Sequence, residues 1–164
     1  MCSVDHPWNH FQKSWRDPEG SRGQGFTGSS EMLKNYKALN VWQKSYERCL
    51  QIYRITATFP NEERYGLSSQ IRRSAVSVPS NIAEGYGRKT TADHIRMLYI
   101  SYGSVCELET QILLAGDLGF IEKGKSEPIR KDIAEIERML KALIKSLENK
   151  SLDPWTLFSN SIGE

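Results

Sequence analysis

The sequence predicts an all-α protein, an antiparallel up-down-up-down bundle of four helices. Apolar residues recur at spacings of three and four in four successive stretches, and short polar or Pro- and Gly-containing segments separate these stretches. No stretch alternates apolar and polar residues as a half-buried strand does. A chain of 164 residues can bury one sizeable core, so we expect a single bundle without a sheet.

The first helix is predicted from an apolar stripe that ends before a proline. Pro60 cannot continue the hydrogen-bond ladder, and it pushes Phe59 toward an extended conformation. The stripe that we expect to face the core comprises Leu39, Trp42, Tyr46, Cys49, Tyr53 and Thr56.

The second helix carries a proline in its interior. Its stripe comprises Leu67, Ile71, Ala75, Val78 and Ile82. Because this stripe runs past Pro79, we expect the helix to kink there rather than end, with the Ser77 and Ser80 hydroxyls serving freed backbone groups.

The stretch SVPSNIAEGYGR, residues 77 to 88, also has a functional reading. The bend at Pro79, followed by Asn81 and Glu84, could open a polar pocket or form a contact between subunits. A phosphate-binding loop is excluded, because neither G-x-G-x-x-G nor a glycine-lysine-serine ending is present and no strand precedes the stretch. The GYG tripeptide is typical of a helix C-cap followed by a turn.

The third helix is predicted to begin near Thr91 or Asp93, either of which can cap it, and to stop where Gly119 suits a left-handed conformation. Its stripe comprises Ile95, Leu98, Tyr102, Val105, Leu108, Ile112 and Ala115.

The fourth helix has the most regular pattern and should end near Lys150, because the period is lost at Pro154. Its stripe comprises Ile129, Ile133, Ile136, Leu140, Leu143 and Leu147. Its exposed face offers two ion pairs at i and i+4, Glu127 with Lys131 and Glu137 with Lys141.

The bundle is predicted to span residues 34–150, between two segments of different composition. Residues 1–33 are rich in Gly, Ser and Pro and lack periodicity, so we expect a disordered tail, with Met32 as a hypothetical translation start. Residues 151–164 are expected to form a flexible C-terminal tail. Because the start of the chain lacks an apolar signal and no apolar run is long enough to span a membrane, we expect a cytoplasmic protein.

Composition disfavours several classes of protein. The net charge of +2, from 22 basic and 20 acidic residues, is far from that of a dedicated nucleic-acid binder, so any basic surface must come from local clustering. Cys2, Cys49 and Cys106 are far apart and odd in number, which predicts neither disulfides nor zinc. We interpret Cys49 and Cys106 as small core residues.

Local clustering occurs between residues 68 and 105, where five basic residues face only Glu84 and Asp93. The nucleic-acid-binding candidates are Arg72, Arg73, Arg88, Lys89 and Arg96. The alternative is a solvated face with one salt bridge between subunits, formed by Arg73 with Glu84 or Glu109. Tyr86, Tyr99 and Tyr102 could stack on bases, but at helical spacing they also suit a core or an interface.

Catalysis has little support in the sequence, and we expect no cofactor and no metal site. His6 and His10 lie in the N-terminal tail with Pro7 between them, and His94 suits a surface or cap position. Cys106 lies three helical turns from His94, so no nucleophile has a base within reach.

Four segments resemble a known family: YKALNVWQKSYE, FPNEERYGLSSQIRRSAVSVPSNIAEGYGR, LYISYGSVCELETQILLAGDLGF and the final Ile/Leu helix. They are similar to bacterial four-helix-bundle proteins first encountered as reading frames within intervening sequences of 23S ribosomal RNA genes. The resemblance covers roughly residues 34 to 148, and its most specific part is QIRR…S…PSNIAEG.

The resemblance implies a homopentameric ring, no enzymatic activity, and kinship with the accessory protein of diversity-generating retroelements, which associates with a reverse transcriptase and nucleic acid. We therefore expect a nucleic-acid or ribonucleoprotein accessory factor. The alternative is a protein-interaction scaffold that binds no nucleic acid. A third class, a small hydrolase with a site assembled between subunits, stays open.

Overall fold

The computed structural model describes residues 35–122 and 124–151. These residues form four α-helices, two short 3₁₀ turns and no strand, which confirms the all-α prediction. The helices are α1 (Asn40–Thr56), α2 (Leu67–Tyr86), α3 (Thr91–Asp117) and α4 (Ser126–Ser151), and the 3₁₀ turns are Tyr36–Ala38 and Asn61–Arg64. The predicted N-terminal tail, residues 1–33, lies outside the described residues. So does the predicted C-terminal tail, residues 151–164, except Ser151, which ends α4.

The helix contacts are compatible with a bundle. Helix α1 packs against α2 and α4, and α3 packs against the same two neighbours. One cluster of buried apolar side chains fills the space between them, with members from all four helices. Its fully buried large members are Ile52, Ile71, Ile82, Leu98, Ile112, Ile133 and Leu140.

The predicted stripes of α2, α3 and α4 face this core. Most of their residues are buried, and the others, Leu67, Ile95, Tyr102, Leu143 and Leu147, are partly buried against the cluster. In α4 the buried residue next to Leu143 is Ile144, which the prediction did not include. An unbroken run of apolar residues at helical spacing is thus a sufficient signal for the buried face in these three helices.

The stripe predicted for α1 is wrong by about one residue, except at Thr56, which is buried as predicted. Its buried positions are Val41, Ser45, Arg48, Ile52 and Thr56. Tyr53 is exposed, whereas Trp42 and Tyr46 are half-buried and stack on each other with ring centroids 5.2 Å apart. Two polar residues, Ser45 and Arg48, occupy the core face of α1. The spacing of the neighbouring aromatic residues therefore looked more like a buried stripe than the spacing of the residues that are buried.

The two ends of α3 follow sequence rules, with one correction. The N-cap is Thr90 rather than Thr91: its hydroxyl accepts from the backbone N–H of Asp93 at 3.1 Å and donates to the Asp93 carboxylate at 2.7 Å. Gly119 has a φ of +76°, which confirms its left-handed conformation. The Phe120 N–H reaches the Ala115 carbonyl at 2.9 Å, completing a Schellman motif.

Helix α2 continues through Pro79, which is itself buried. The Ser80 hydroxyl donates to the Val76 carbonyl at 2.8 Å, and the Ser77 hydroxyl shares a hydrogen bond of 2.8 Å with Ser104 on α3. As expected, the helix does not end at Pro79. The kink itself stays a prediction.

One of the two ion pairs predicted on α4 is confirmed. Lys141 Nζ lies 2.7 Å from Glu137 Oε1. Glu127 instead pairs with Arg130, at 3.1 Å and a spacing of three, so the predicted partner Lys131 is wrong.

Candidate nucleic-acid interface

Two of the five candidate cations, Arg72 and Arg73, lie in the first half of α2. Arg72 connects α2 to α1. Its Nε donates to Thr56 Oγ1 at 2.7 Å, and its guanidinium lies 5.1 Å from the centre of the Tyr53 ring. These contacts give Arg72 a packing role between two helices.

Arg73 is exposed and lies 3.7 Å from Glu107 of α3 in the same chain. Glu84, one partner proposed for it across subunits, pairs with Arg88, which lies just past the end of α2. About 21 Å of helix separates Arg72 from Tyr86, the last residue of α2. The structure therefore does not bring the five candidates into one patch.

Arg88, Lys89 and Arg96 do lie together, around the turn that joins α2 to α3. Arg88 and Lys89 fill the two positions between the Gly87 C-cap and the Thr90 N-cap, and Arg96 lies in the second turn of α3. All three side chains are exposed. The tight turn, set by the two caps, holds these cations close together.

Ring contacts bring other parts of the chain to the same place. The Tyr36 ring lies 6.4 Å from Tyr86, and Tyr86 lies 6.3 Å from His94. The Tyr99 hydroxyl donates to Glu148 Oε1 at 3.0 Å, which places the last turns of α4 beside the start of α3. The start of the described chain, the α2–α3 turn and the end of α4 therefore meet.

We call this region the basic end. Its cations are Lys37, Arg88, Lys89, Arg96 and Lys150, and its acids are Glu84, Asp93 and Glu148. The five cations against three acids leave an excess of two positive charges. The described residues of the opposite end have no such excess: they carry five acids (Glu62, Glu63, Asp117, Glu122, Glu127) and five cations (Arg54, Arg64, Lys125, Arg130, Lys131). The charge is thus distributed unevenly along the bundle.

The three tyrosines considered for base stacking differ in exposure. Tyr86 is half-buried between Tyr36 and His94, and Tyr102 donates to Glu137 at 3.1 Å under Lys141. Tyr99 is 52% exposed and lies one turn from Arg96 on α3. Of the three, Tyr99 therefore offers the most accessible ring beside a basic residue.

The remaining predicted site residues, Pro79 and Asn81, make contacts within their own chain. Asn81 Nδ2 donates to the Ser77 carbonyl and to its hydroxyl, both at 2.8 Å. Pro79 is buried. Both residues thus contribute to α2 and its packing.

His94 is the titratable group at the centre of this end. It is half-buried, and its Nε2 is buried without a hydrogen-bond partner. Burial lowers the pKa of His94 below its usual value of 6.5. The neutral imidazole is therefore the form that fits the packed structure.

We expect acidification to lower the free energy of unfolding, because the unfolded chain protonates His94 more readily than the folded chain does. The unfolded chain binds a proton near pH 6.5, while the folded chain binds it only at lower pH. The contribution is therefore fully present above the unfolded pKa and is lost as pH falls through the window below it. Thermal melts of the wild type should show this loss as pH falls below 6.5, and His94→Asn should show a smaller one. Equal losses in both proteins would contradict the assignment.

The described residues contain little that could support catalysis. No group of three or more His, Cys, Asp or Glu side chains within 35–122 and 124–151 could hold a metal ion. Cys49 is half-buried against the core, and burial raises the pKa of its thiol to about 11. Cys106 is exposed, so its prediction as a core residue is wrong.

A second surface of interest is the outward face of α3, which we call the apolar α3 face. Its large members Ile100, Leu113 and Leu114 are 45%, 39% and 49% exposed. Gly103, Cys106 and Thr110 lie between them on the same side of the helix and are exposed. Sequence reasoning missed this face, because α3 carries apolar residues around most of its circumference.

Comparisons with known proteins identify the family. Residues 37–142, more than half of the chain, match the family of the 23S rRNA-intervening sequence protein. The chain belongs to this family. Helices α1 to α3 and most of α4 lie within the matched region. Residues 143–164 lie outside it.

A solved relative agrees with this assignment. The chain is 31% identical to a Bacteroides thetaiotaomicron protein of unknown function from the S23 ribosomal protein family. The match has a TM-score of 0.60 and covers 64% of this chain and 95% of that one. No protein with a curated description matches the chain. Within the described part, no helix is long and apolar enough to cross a membrane.

Proposed function

We propose that this protein is a non-enzymatic accessory factor that binds nucleic acid through the basic end. The observation that carries the proposal is the gathering of Lys37, Arg88, Lys89, Arg96 and Lys150 at one end of the bundle. Phosphate contacts from Lys and Arg supply most of the sequence-independent affinity for nucleic acid. The exposed ring of Tyr99, one turn from Arg96, adds a surface on which a base can stack.

The proposal includes an antiparallel arrangement of the helices. Two ion pairs join α1 and α4 in opposite chain order: Lys44 with Glu135, and Arg48 with Asp132. Between α2 and α3, Ser77 contacts Ser104 and the Val78 carbonyl accepts from Ser101, again in opposite order. An up-down-up-down bundle explains why both chain ends of the described part and the α2–α3 turn meet at the basic end. A kink at Pro79 is compatible with this arrangement.

We further propose self-association into a homopentameric ring through the outward face of α2. Val76 is 40% exposed there, next to the short side chain of Ser80. Arg73 and Glu84, which lie on either side of them along α2, offer charges of opposite sign to a neighbouring copy. A ring repeats the modest excess charge of each basic end, and multivalency then turns weak phosphate contacts into useful affinity.

Two finer expectations stay predictions. The kinship with the accessory protein of diversity-generating retroelements predicts association with a reverse transcriptase, which a pull-down with such an enzyme tests. A cytoplasmic location is tested by cell fractionation.

The nucleic-acid proposal is tested by binding of labelled single-stranded RNA and DNA over a series of salt concentrations. We expect log K to fall linearly with log salt, with a slope of about −0.7 for each phosphate neutralised. Light scattering coupled to size exclusion, run on the same samples, reports the assembly. Absence of binding at low salt would contradict the proposal, whereas a monomer that still binds would contradict the ring alone.

A protein-interaction scaffold is the second candidate, and the apolar α3 face favours it. Exposed aliphatic side chains on one helix face are typical of protein contacts rather than of phosphate binding. A scaffold would retain a protein partner at both low and moderate salt, because burial of apolar surface is little screened by ions.

A further inference from the structure

The apolar α3 face is exposed among the described residues. Ile100 and Leu114, 14 residues apart, are separated by about 21 Å of helix. Between them a Cβ added at Gly103 would meet no atom within 4 Å, so the helix backbone there faces open space. The face is therefore a shallow apolar strip with small side chains along its middle.

The described part of the chain ends near the start of this strip. Helix α4 ends at Ser151, and the hydrogen bond between Tyr99 and Glu148 places its last turn next to the first half of α3. Thirteen residues, 152–164, can reach about 43 Å when extended, twice the length of the strip.

The sequence of residues 152–164 is suited to an apolar strip. It reads LDPWTLFSNSIGE, and its five large apolar side chains are Leu152, Trp155, Leu157, Phe158 and Ile162. It carries two acids, Asp153 and Glu164, and no basic residue. The segment lies outside the region that matches the family.

Charges of both signs lie around the strip. Arg96 lies on α3 near its start, and Lys141 and Lys145 lie on the exposed side of α4, where Lys141 contacts the Tyr102 ring of α3. The acids Glu107 and Asp117 lie along the strip itself. Position, reach and apolar content thus agree on residues 152–164 as the occupant.

We propose that residues 152–164 fold back and dock on the apolar α3 face of their own chain, with Trp155 and Phe158 as the main apolar contacts. Pro154 prevents α4 from continuing and allows the chain to change direction. Docking buries side chains of the tail and the exposed leucines of α3 together, which the hydrophobic effect favours. The inference does not rest on nucleic-acid binding.

Cys106, in the middle of the strip, provides the test. In a full-length Cys2→Ser variant it is the accessible thiol, because Cys49 is half-buried and its pKa of about 11 keeps it protonated near neutral pH. A docked tail slows the reaction of Cys106 with a thiol reagent. Adding Trp155→Ser and Phe158→Ser should therefore raise the labelling rate several-fold.

Thr156→Ala and Ser159→Ala, in the same segment, form the matched control and should leave the rate unchanged. Leu114→Ser, on the strip itself, should raise the rate as the tail substitutions do. Identical rates in all variants would overturn the proposal. Protection that grows with protein concentration would also overturn it, since the occupant would then come from a second copy.

Discussion

Replacing Asp132 with alanine should lower the free energy of unfolding by about 3 kcal/mol. The carboxylate of Asp132 on α4 pairs with Arg48, whose side chain is 8% exposed on the core face of α1. Burial lowers the pKa of the Arg48 guanidinium, which reflects the cost of holding its charge away from water. Without Asp132, that charge loses its pairing partner and keeps a hydrogen bond to Gln51 and the attraction of the Glu47 carboxylate.

Chemical denaturation of wild type and variant measures this loss. Glu135→Ala is the matched control, because Glu135 pairs with the more exposed Lys44 one turn away on the same two helices, and it should cost less than about 1 kcal/mol. Adding Arg48→Met to Asp132→Ala should restore part of the stability, since no charge is then left buried. Equal costs for the two single variants would contradict this account.

Gly85→Ala should lower the free energy of unfolding by about 1–3 kcal/mol, although alanine is the better helix former. A Cβ at Gly85 would lie 2.9 Å from Met97 Cβ and 3.2 Å from the His94 carbonyl oxygen. The close approach of α2 and α3 therefore requires glycine, and an added methyl must push the two helices apart at the basic end.

Gly103→Ala is the control for the same chemical change, because its Cβ would meet nothing within 4 Å. It should raise stability by about 0.5–1 kcal/mol through helix propensity alone. Thermal and denaturant melts should show a lower free energy of unfolding for Gly85→Ala and a higher one for Gly103→Ala. A neutral or stabilising Gly85→Ala would refute the proposed helix contact.

The sequence pattern was sufficient for three helices and misleading for one. In α2, α3 and α4 the apolar positions follow each other without interruption, so the period alone identifies the buried face. In α1 the core face includes Ser45 and Arg48, whose polarity conceals it from any analysis of hydrophobic spacing. Arg48 can be buried there only because Asp132, 84 positions later, meets it.

The candidate site was less predictable, for a geometric reason. The five basic residues between positions 72 and 96 looked like one cluster along the chain, but about 21 Å of helix α2 separates Arg72 from the turn that carries Arg88. Lys37 and Lys150 lie at the same end of the bundle as Arg88 and Lys89 because of ring contacts and helix lengths. The spacing of apolar residues along the sequence does not predict either of these. The Thr90 cap was mispredicted by one position because Thr90 and Thr91 carry the same capping hydroxyl.

The most direct test of the account compares two charge reversals of equal size at opposite ends of the bundle. Arg88→Glu with Lys89→Glu alters the basic end, and Lys125→Glu with Arg130→Glu alters the other end. Affinity for single-stranded nucleic acid is measured by titration at low salt, with circular dichroism to verify folding. We predict that the first pair weakens binding strongly and flattens its salt dependence, while the second pair changes binding little. Equal weakening by both pairs, or no weakening by the first, would contradict nucleic-acid binding at the basic end.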